Sequence, residues 1–152
     1  MPRFTTGSAA PHEKLQSSEL LFLAVRVTVA TVWLYEGLWL KVLLRAPHEL
    51  AVVESLPHVL PLSAASLLTL IGFGETLLAV GILSGLFSRP LALLQATLVV
   101  LMNTGGIVFA GGTAIGDPLG LVVRNLPFLA CIALLGTYGP GPRIFTLSNS
   151  RK

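Results

Sequence analysis

The chain has 152 residues, 53% of them hydrophobic and only 11% charged, with a formal net charge of +3 and a mean hydropathy of +0.81. A soluble domain carries about 25% charged residues; this chain has too few to coat a globular surface, so lipid must be the solvent for much of it. The length supports one domain, and the basic residues sit at the ends and in short connections rather than in a stripe, which argues against nucleic-acid binding.

Residues 1–19 are polar, with Arg3, Glu13, Lys14 and Glu19, and read as a cytoplasmic N-terminal segment. Leu20–Leu40 is the first apolar run, interrupted by Arg26 and Glu36. Spanning the hydrocarbon takes roughly 20 apolar residues, and this run is too long for a signal-peptide core and lacks a small-residue cleavage site, so it reads as a retained span. In the long connection 42–63, Leu50, Val53, Leu56 and Leu60 recur at helical spacing between Pro47 and Pro61. A short interfacial helix and an ordinary loop with buried leucines are equally good readings there. Ala64–Leu83 carries a single charge, Glu75, and Gly81 with Gly85 forms a small-xxx-small pair of the kind that permits close helix approach. Pro90–Ala110 carries no charge, and Pro90 suits a first helical turn. Pro118–Tyr138 carries Arg124; Asp117 reads as its N-cap, Pro118 as its first residue, and Gly136, Gly139 and Pro140 as its close. Residues 139–152 form a tail.

Without water to satisfy backbone groups, helices are the conformation available to these runs, which also lack the alternation of barrel strands. The expected fold is an all-α membrane protein, a four-transmembrane-helix antiparallel up-down bundle over residues 20–138, with helices at about 20–40, 64–83, 90–110 and 118–138. Arg3, Lys14, Arg89, Arg143, Arg151 and Lys152 flank one side, against Lys41 and Arg45 on the other. Both termini are therefore expected in the cytoplasm, with a bacterial inner membrane as the setting.

A lone charge at mid-bilayer costs about 2.5–3.5 kcal/mol on insertion scales and normally faces the bundle with a partner. Arg26, Glu36, Glu75 and Arg124 are such charges. At 1.5 Å of rise per residue, depths from the outer ends of the runs are roughly 6–8 Å for Glu36, 9 Å for Arg124, 17 Å for Glu75 and 21–22 Å for Arg26. That pairs Glu36 with Arg124 and Glu75 with Arg26, and puts Asn103 and Asn125 near the outer pair. Helical spacing puts Arg26, Trp33, Glu36, Gly37, Leu40 and Lys41 on one face, Leu68, Gly72, Glu75 and Ala79 on another, and Arg124, Pro127, Phe128 and Cys131 on a third. The candidate polar seam is thus Arg26, Trp33, Glu36, Lys41, Glu75, Asn103, Arg124 and Asn125. Ion pairs that merely fix helix register explain it as well as a functional site does. Trp39 suits an interfacial aromatic belt. Cys131 is the lone cysteine and His12, His48 and His58 lack ligand spacing, which excludes an internal disulfide or a CxxC pair and leaves no recognisable metal site.

Arg26, then Val32-Trp33-Leu34-Tyr35-Glu36-Gly37-Leu38 and Lys41-Val42-Leu43, resembles the first helix of DoxX-like membrane proteins. Gly72-Phe73-Gly74-Glu75 resembles their second-helix glycine–glutamate signature, and Asp117-Pro118 with Arg124-Asn125-Leu126-Pro127 the start of their last helix. Leu40 departs from the pattern, which has proline before the lysine. The resemblance spans about residues 20–138 and implies a four-helix membrane fold. It also implies membership of a group in which some relatives are subunits of membrane oxidoreductases, including thiosulfate:quinone oxidoreductase.

Two main functions follow as expectations. One is an accessory or quinone-interacting subunit of a membrane oxidoreductase system, with a redox partner protein supplying the cofactor, since the chain has no haem, iron–sulfur, flavin or dinucleotide motif. The other is a non-enzymatic scaffold or small-molecule or lipid-binding protein, favoured by the lack of a complete catalytic set. Four helices without inverted repeats make a poor monomeric transporter, although a homo-oligomer in the bilayer could still form a path.

Overall fold

In lipid each apolar run must close its hydrogen bonds on itself, and helices result. The structure, a computed structural model, describes residues 11–57, 61–111 and 114–139. Among these it has four helices long and apolar enough to cross a membrane and no strand. Helix α1, Pro11–Leu34, runs directly into a π-helical segment, Tyr35–Leu43. Short α2, Pro47–Glu54, follows, then α3, Ala64–Ser84, α4, Ser88–Ala110, and α5, Pro118–Tyr138. The helix begins within the segment read as a polar tail, and the first span, Ser18–Leu43, runs past Lys41 rather than ending before it.

Local chemistry sets the helix ends. The Ser63 hydroxyl accepts from the Ser66 amide at the start of α3. Asp117 accepts from the Gly120 amide at 2.8 Å, with Pro118 as first helical residue, as the Asp-Pro pair predicts. Gly139 caps α5 with φ 91°; Pro140 and the tail lie outside the described residues.

Leucine spacing in the first connection does produce a helix, but one that folds back on the bundle. Proline at the first position opens α2, and the positive φ of Arg45 (47°) turns the chain just before it. Val53 is buried, Leu50 and Leu56 half-buried, and α2 packs on α3, α4 and the π segment. It roofs one end of the bundle. His58 and Leu60 lie outside the described residues.

The core is a layer of Val29, Ala30 and Trp33 from α1, Leu78, Ala79 and Ile82 from α3, Ala92 and Val99 from α4, and Ile132 and Leu135 from α5. Large side chains such as Leu77, Leu93, Leu101 and Val123 point outward, as expected where the surroundings are as apolar as the core.

The tightest crossing lies between the π segment and α3. A Cβ on Gly37 would sit 2.7 Å from both the Gly72 carbonyl oxygen and Glu75 Cβ, and one on Gly72 would sit 2.7 Å from the Gly37 carbonyl oxygen and 2.8 Å from Lys41 Cβ. Two glycines facing each other bring backbone against backbone. This crossing, and a smaller one where a Cβ on Gly136 would sit 2.8 Å from Ala92 Cβ, rather than Gly81 with Gly85, are the small-residue contacts between helices. Gly85 instead ends α3 in the left-handed conformation, φ 70°, which glycine adopts without a Cβ penalty. Gly72→Ala should therefore destabilise the protein by about 1–3 kcal/mol through overpacking. Gly74→Ala, where a Cβ meets nothing within 4 Å, should be neutral or stabilise by up to about 1 kcal/mol through helix propensity. Thermal unfolding of the two variants in detergent micelles measures the contrast; equal losses would contradict it.

Candidate functional site

The glycine crossing decides which charges meet. With no side chain between the backbones, Lys41 reaches across to Glu75: Nζ lies 3.0 Å from Glu75 Oε2. The roof helix contributes Glu49 at 3.5 Å, and Glu36 of the π segment lies at 3.7 Å. The ammonium also approaches the Glu36 carbonyl oxygen at 3.4 Å. Lys41 and Glu75 are both buried at 3% exposure, where a lone charge would be untenable.

Helix winding keeps the lysine inside. Trp33, Gly37 and Lys41 are all buried at successive four-residue steps. An α-helix overshoots by about 40° at each such step. The wider π turn, visible beyond the segment in the bond from the Leu44 amide to the Trp39 carbonyl at 2.9 Å, offsets that drift. Such π segments frequently mark functional positions.

The expected pairings are not the ones formed. Glu75 takes Lys41, not Arg26, as its cation, and Glu36 lies by Lys41, not Arg124. Lys41 lies inside the first span, which runs to Leu43 and does not end at Leu40 as the apolar run suggests. With the span extended to Leu43, Gly37 comes level with Gly72 and Glu75, and Arg26 falls at the opposite end of the bundle. There Arg26 is buried and lines a small cavity with Ile82, Gly85, Leu91 and Gln95. Arg124 is 73% exposed; it donates to the Gly120 carbonyl at 3.0 Å and lies 3.7 Å from Asp117. Both contacts are within the first turns of α5; Arg124 edges the cavity while staying mostly exposed and Pro127 is exposed, so of the face expected on α5 Phe128 and Cys131 are the half-buried members. The expected face on α3 is intact, since Leu68, Gly72, Glu75 and Ala79 are all buried.

Two further polar contacts complete the interior. Asn125 Nδ2 donates to Asn103 Oδ1 at 3.0 Å, joining the two asparagines that their depths had placed together. Trp33 Nε1 donates to Gln95 Oε1 at 3.0 Å. Gln95 is not in the expected seam, whose α4 member, Asn103, was placed by its depth beside the outer charges. Its signal was legible: it shares a helical stripe with Ala92 and Val99, and all three are buried. The Trp33 ring lies 5.8 Å from that of Phe128. Tyr35 and Trp39 face outward, Trp39 as suits an interfacial belt. Cys131 is a half-buried free thiol packed against the core, and among the described residues no group of acidic, histidine or cysteine side chains has the makings of a metal site.

These groups line a cavity of about 750 Å³ walled by residues of the first span, α2, α3, α4, α5 and the turn 114–117. Every candidate seam residue except Arg26 lines it. The walls are otherwise mostly apolar, with Val52, Val53, Val99 and Leu121 among them. A cavity of this size with a few convergent polar groups matches the usual form of a small-molecule site.

Bundle and cavity together define a four-helix integral membrane protein with a polar-ended chamber inside its spanning region. The model of the DoxX-like family matches residues 30–133, more than half of the chain, and the chain belongs to that family. The matched stretch includes Lys41, Glu75, Asn103 and Asn125 and leaves Arg26 outside. No curated protein and no solved structure shows a significant match.

Lys41→Met should cost about 3–5 kcal/mol, because it leaves buried Glu75 without its cation. Lys41→Met with Glu75→Met should recover most of that loss, since a buried ion pair exchanges for apolar side chains at little net cost. Chemical denaturation in mixed micelles measures both; an equally unstable double variant would contradict the pairing.

Proposed function

We propose that this DoxX-like protein holds the head group of a membrane quinone in the cavity beneath α2 and serves as an accessory subunit of a membrane oxidoreductase system. The supporting observation is the composition of the cavity: apolar walls within the spanning region, with the Lys41 carboxylate cluster and the Asn103–Asn125 pair converging on it. An isoprenoid tail suits the walls, the Trp33 and Phe128 rings suit a flat head group, and the polar groups can bond its oxygens. Electrons would pass through a partner that carries the redox cofactor, because the chain has no motif for one.

A second reading is a non-enzymatic scaffold or lipid-binding protein. It is favoured by the Lys41–Glu75 contact at the glycine crossing, which fixes the register of two helices with or without a ligand.

Binding separates the two. In a Trp39→Phe background, where Trp33 is the remaining tryptophan, a short-chain quinone should quench fluorescence saturably. Gly105→Phe, which projects a ring into the cavity from a lining position, should abolish the quenching. No saturable quenching, no quinone in the lipid extract and no copurifying redox partner would together reject the quinone reading.

The setting proposed is the bacterial inner membrane with both termini cytoplasmic. With Lys41 inside the bundle, the opposite flank keeps only Arg45, which sharpens the charge bias. A fluorescent protein fused after Lys152, of a kind that matures only in the cytoplasm, should therefore light up; a dark fusion with full membrane expression would reverse the topology.

A further inference from the structure

We infer that the cavity selects amphiphiles whose head group donates hydrogen bonds, a phenolic hydroxyl or an ammonium, over heads that only accept or are anionic. This deepens the reading of the cavity as a ligand site and rests on it.

The inference comes from the balance of donors and acceptors. Glu36, Glu49 and Glu75 present acceptors only, while Lys41 is the one cation among them, with three protons. One of those protons is directed toward the Glu36 carbonyl oxygen. Glu75 is buried, yet beyond its ion contact with Lys41 neither carboxylate oxygen accepts a hydrogen bond. Glu36 and Glu49, with side chains 40% and 21% exposed, line the cavity above it.

The other donors around the cavity belong to Arg124, Asn103, Asn125 and Trp33, and none of them contacts the three carboxylates. Arg124 lies against Asp117 and the Gly120 carbonyl, the Trp33 N–H goes to Gln95, and Asn125 gives one amide proton to Asn103, which leaves the Asn103 amide group and the second Asn125 proton as the donors of the asparagine pair. His48 lies 3.5 Å from Glu49 on the exposed side; even protonated, it leaves the cluster with more negative than positive charge. At the Lys41 cluster, three carboxylates on one ammonium therefore leave acceptors and negative charge in surplus. A dihydroxy head such as a quinol, or an ammonium, supplies what is missing. A quinone carbonyl supplies only more acceptors, and a carboxylate adds to the repulsion.

Isothermal titration calorimetry of the full chain in neutral detergent tests this with four ligands: a short-chain quinone, the same molecule kept reduced under anaerobic conditions, decylamine and decanoate. The donor rule predicts that quinol binds at least about tenfold more tightly than quinone, as one charge-assisted hydrogen bond allows, and that decylamine binds while decanoate does not. Glu36→Gln, at a half-exposed position that spares the buried pair, should narrow the quinol preference.

Quinone binding as tightly as quinol, or decanoate binding as tightly as decylamine, overturns the donor rule while leaving the cavity a ligand site. Decylamine binding with neither quinone form supports the rule and removes the quinone reading. No binding by any of the four overturns both.

Discussion

Lys41 and Glu75 can meet only because Gly37 and Gly72 stand where their helices cross. Each charge alone would destabilise a spanning helix, and a Cβ at either glycine would keep the backbones from their present approach. The π winding serves the same contact by holding Lys41 on the face already occupied by Trp33 and Gly37. Once the contact forms, the first span and α3 share one register. Gly37 is then level with Glu75, and Arg26 is carried to the far end of the bundle. The cavity, the core layer and the position of the roof helix all follow from that register.

The interior is accordingly stratified. An apolar layer of valine, alanine, leucine and isoleucine lies between the Lys41 cluster and the region of Arg26. Trp33 joins the zones: its indole N–H bonds Gln95, which lines the small cavity with Arg26, while its ring helps wall the large one. A tryptophan suits this position because it has an apolar body with a single donor at its edge. Buried polar groups that are satisfied in this way tend to specify one packing arrangement, and the Trp33–Gln95 bond ties α1 to α4 across the bundle.

Much of this was legible from residue type and spacing. Four long apolar runs in a weakly charged chain admit little but a helical bundle, and Asp117-Pro118 marks a helix start by local chemistry alone. The buried stripe of α3 follows from ordinary helical period. Partners were harder to read, because pairing depends on axial register, and register depends on where a span ends. A lysine after an apolar run looks like a flank, so Lys41 was counted outside the membrane and its true partners were assigned to Arg26 and Arg124. The π segment was also hidden, since Tyr35–Leu43 carries no residue pattern that distinguishes π from α winding. Arg124 misled for the opposite reason. It lies within an apolar run, but so near the N-terminus of α5 that its side chain reaches Asp117 and stays exposed.

Stoichiometry distinguishes the structural role of the cluster from anything beyond it. Fixing the register of two helices takes one cation and one anion, and Lys41 with Glu75 is sufficient. Glu36 and Glu49 add two negative charges to a region of low dielectric, where unbalanced charge opposes folding. Glu49 also comes from a different element, the roof helix, whose presence the glycine crossing does not require. Register therefore accounts for the innermost pair and leaves the outer two carboxylates unexplained. Those two line the cavity, and Glu49 has His48 at 3.5 Å on its other side.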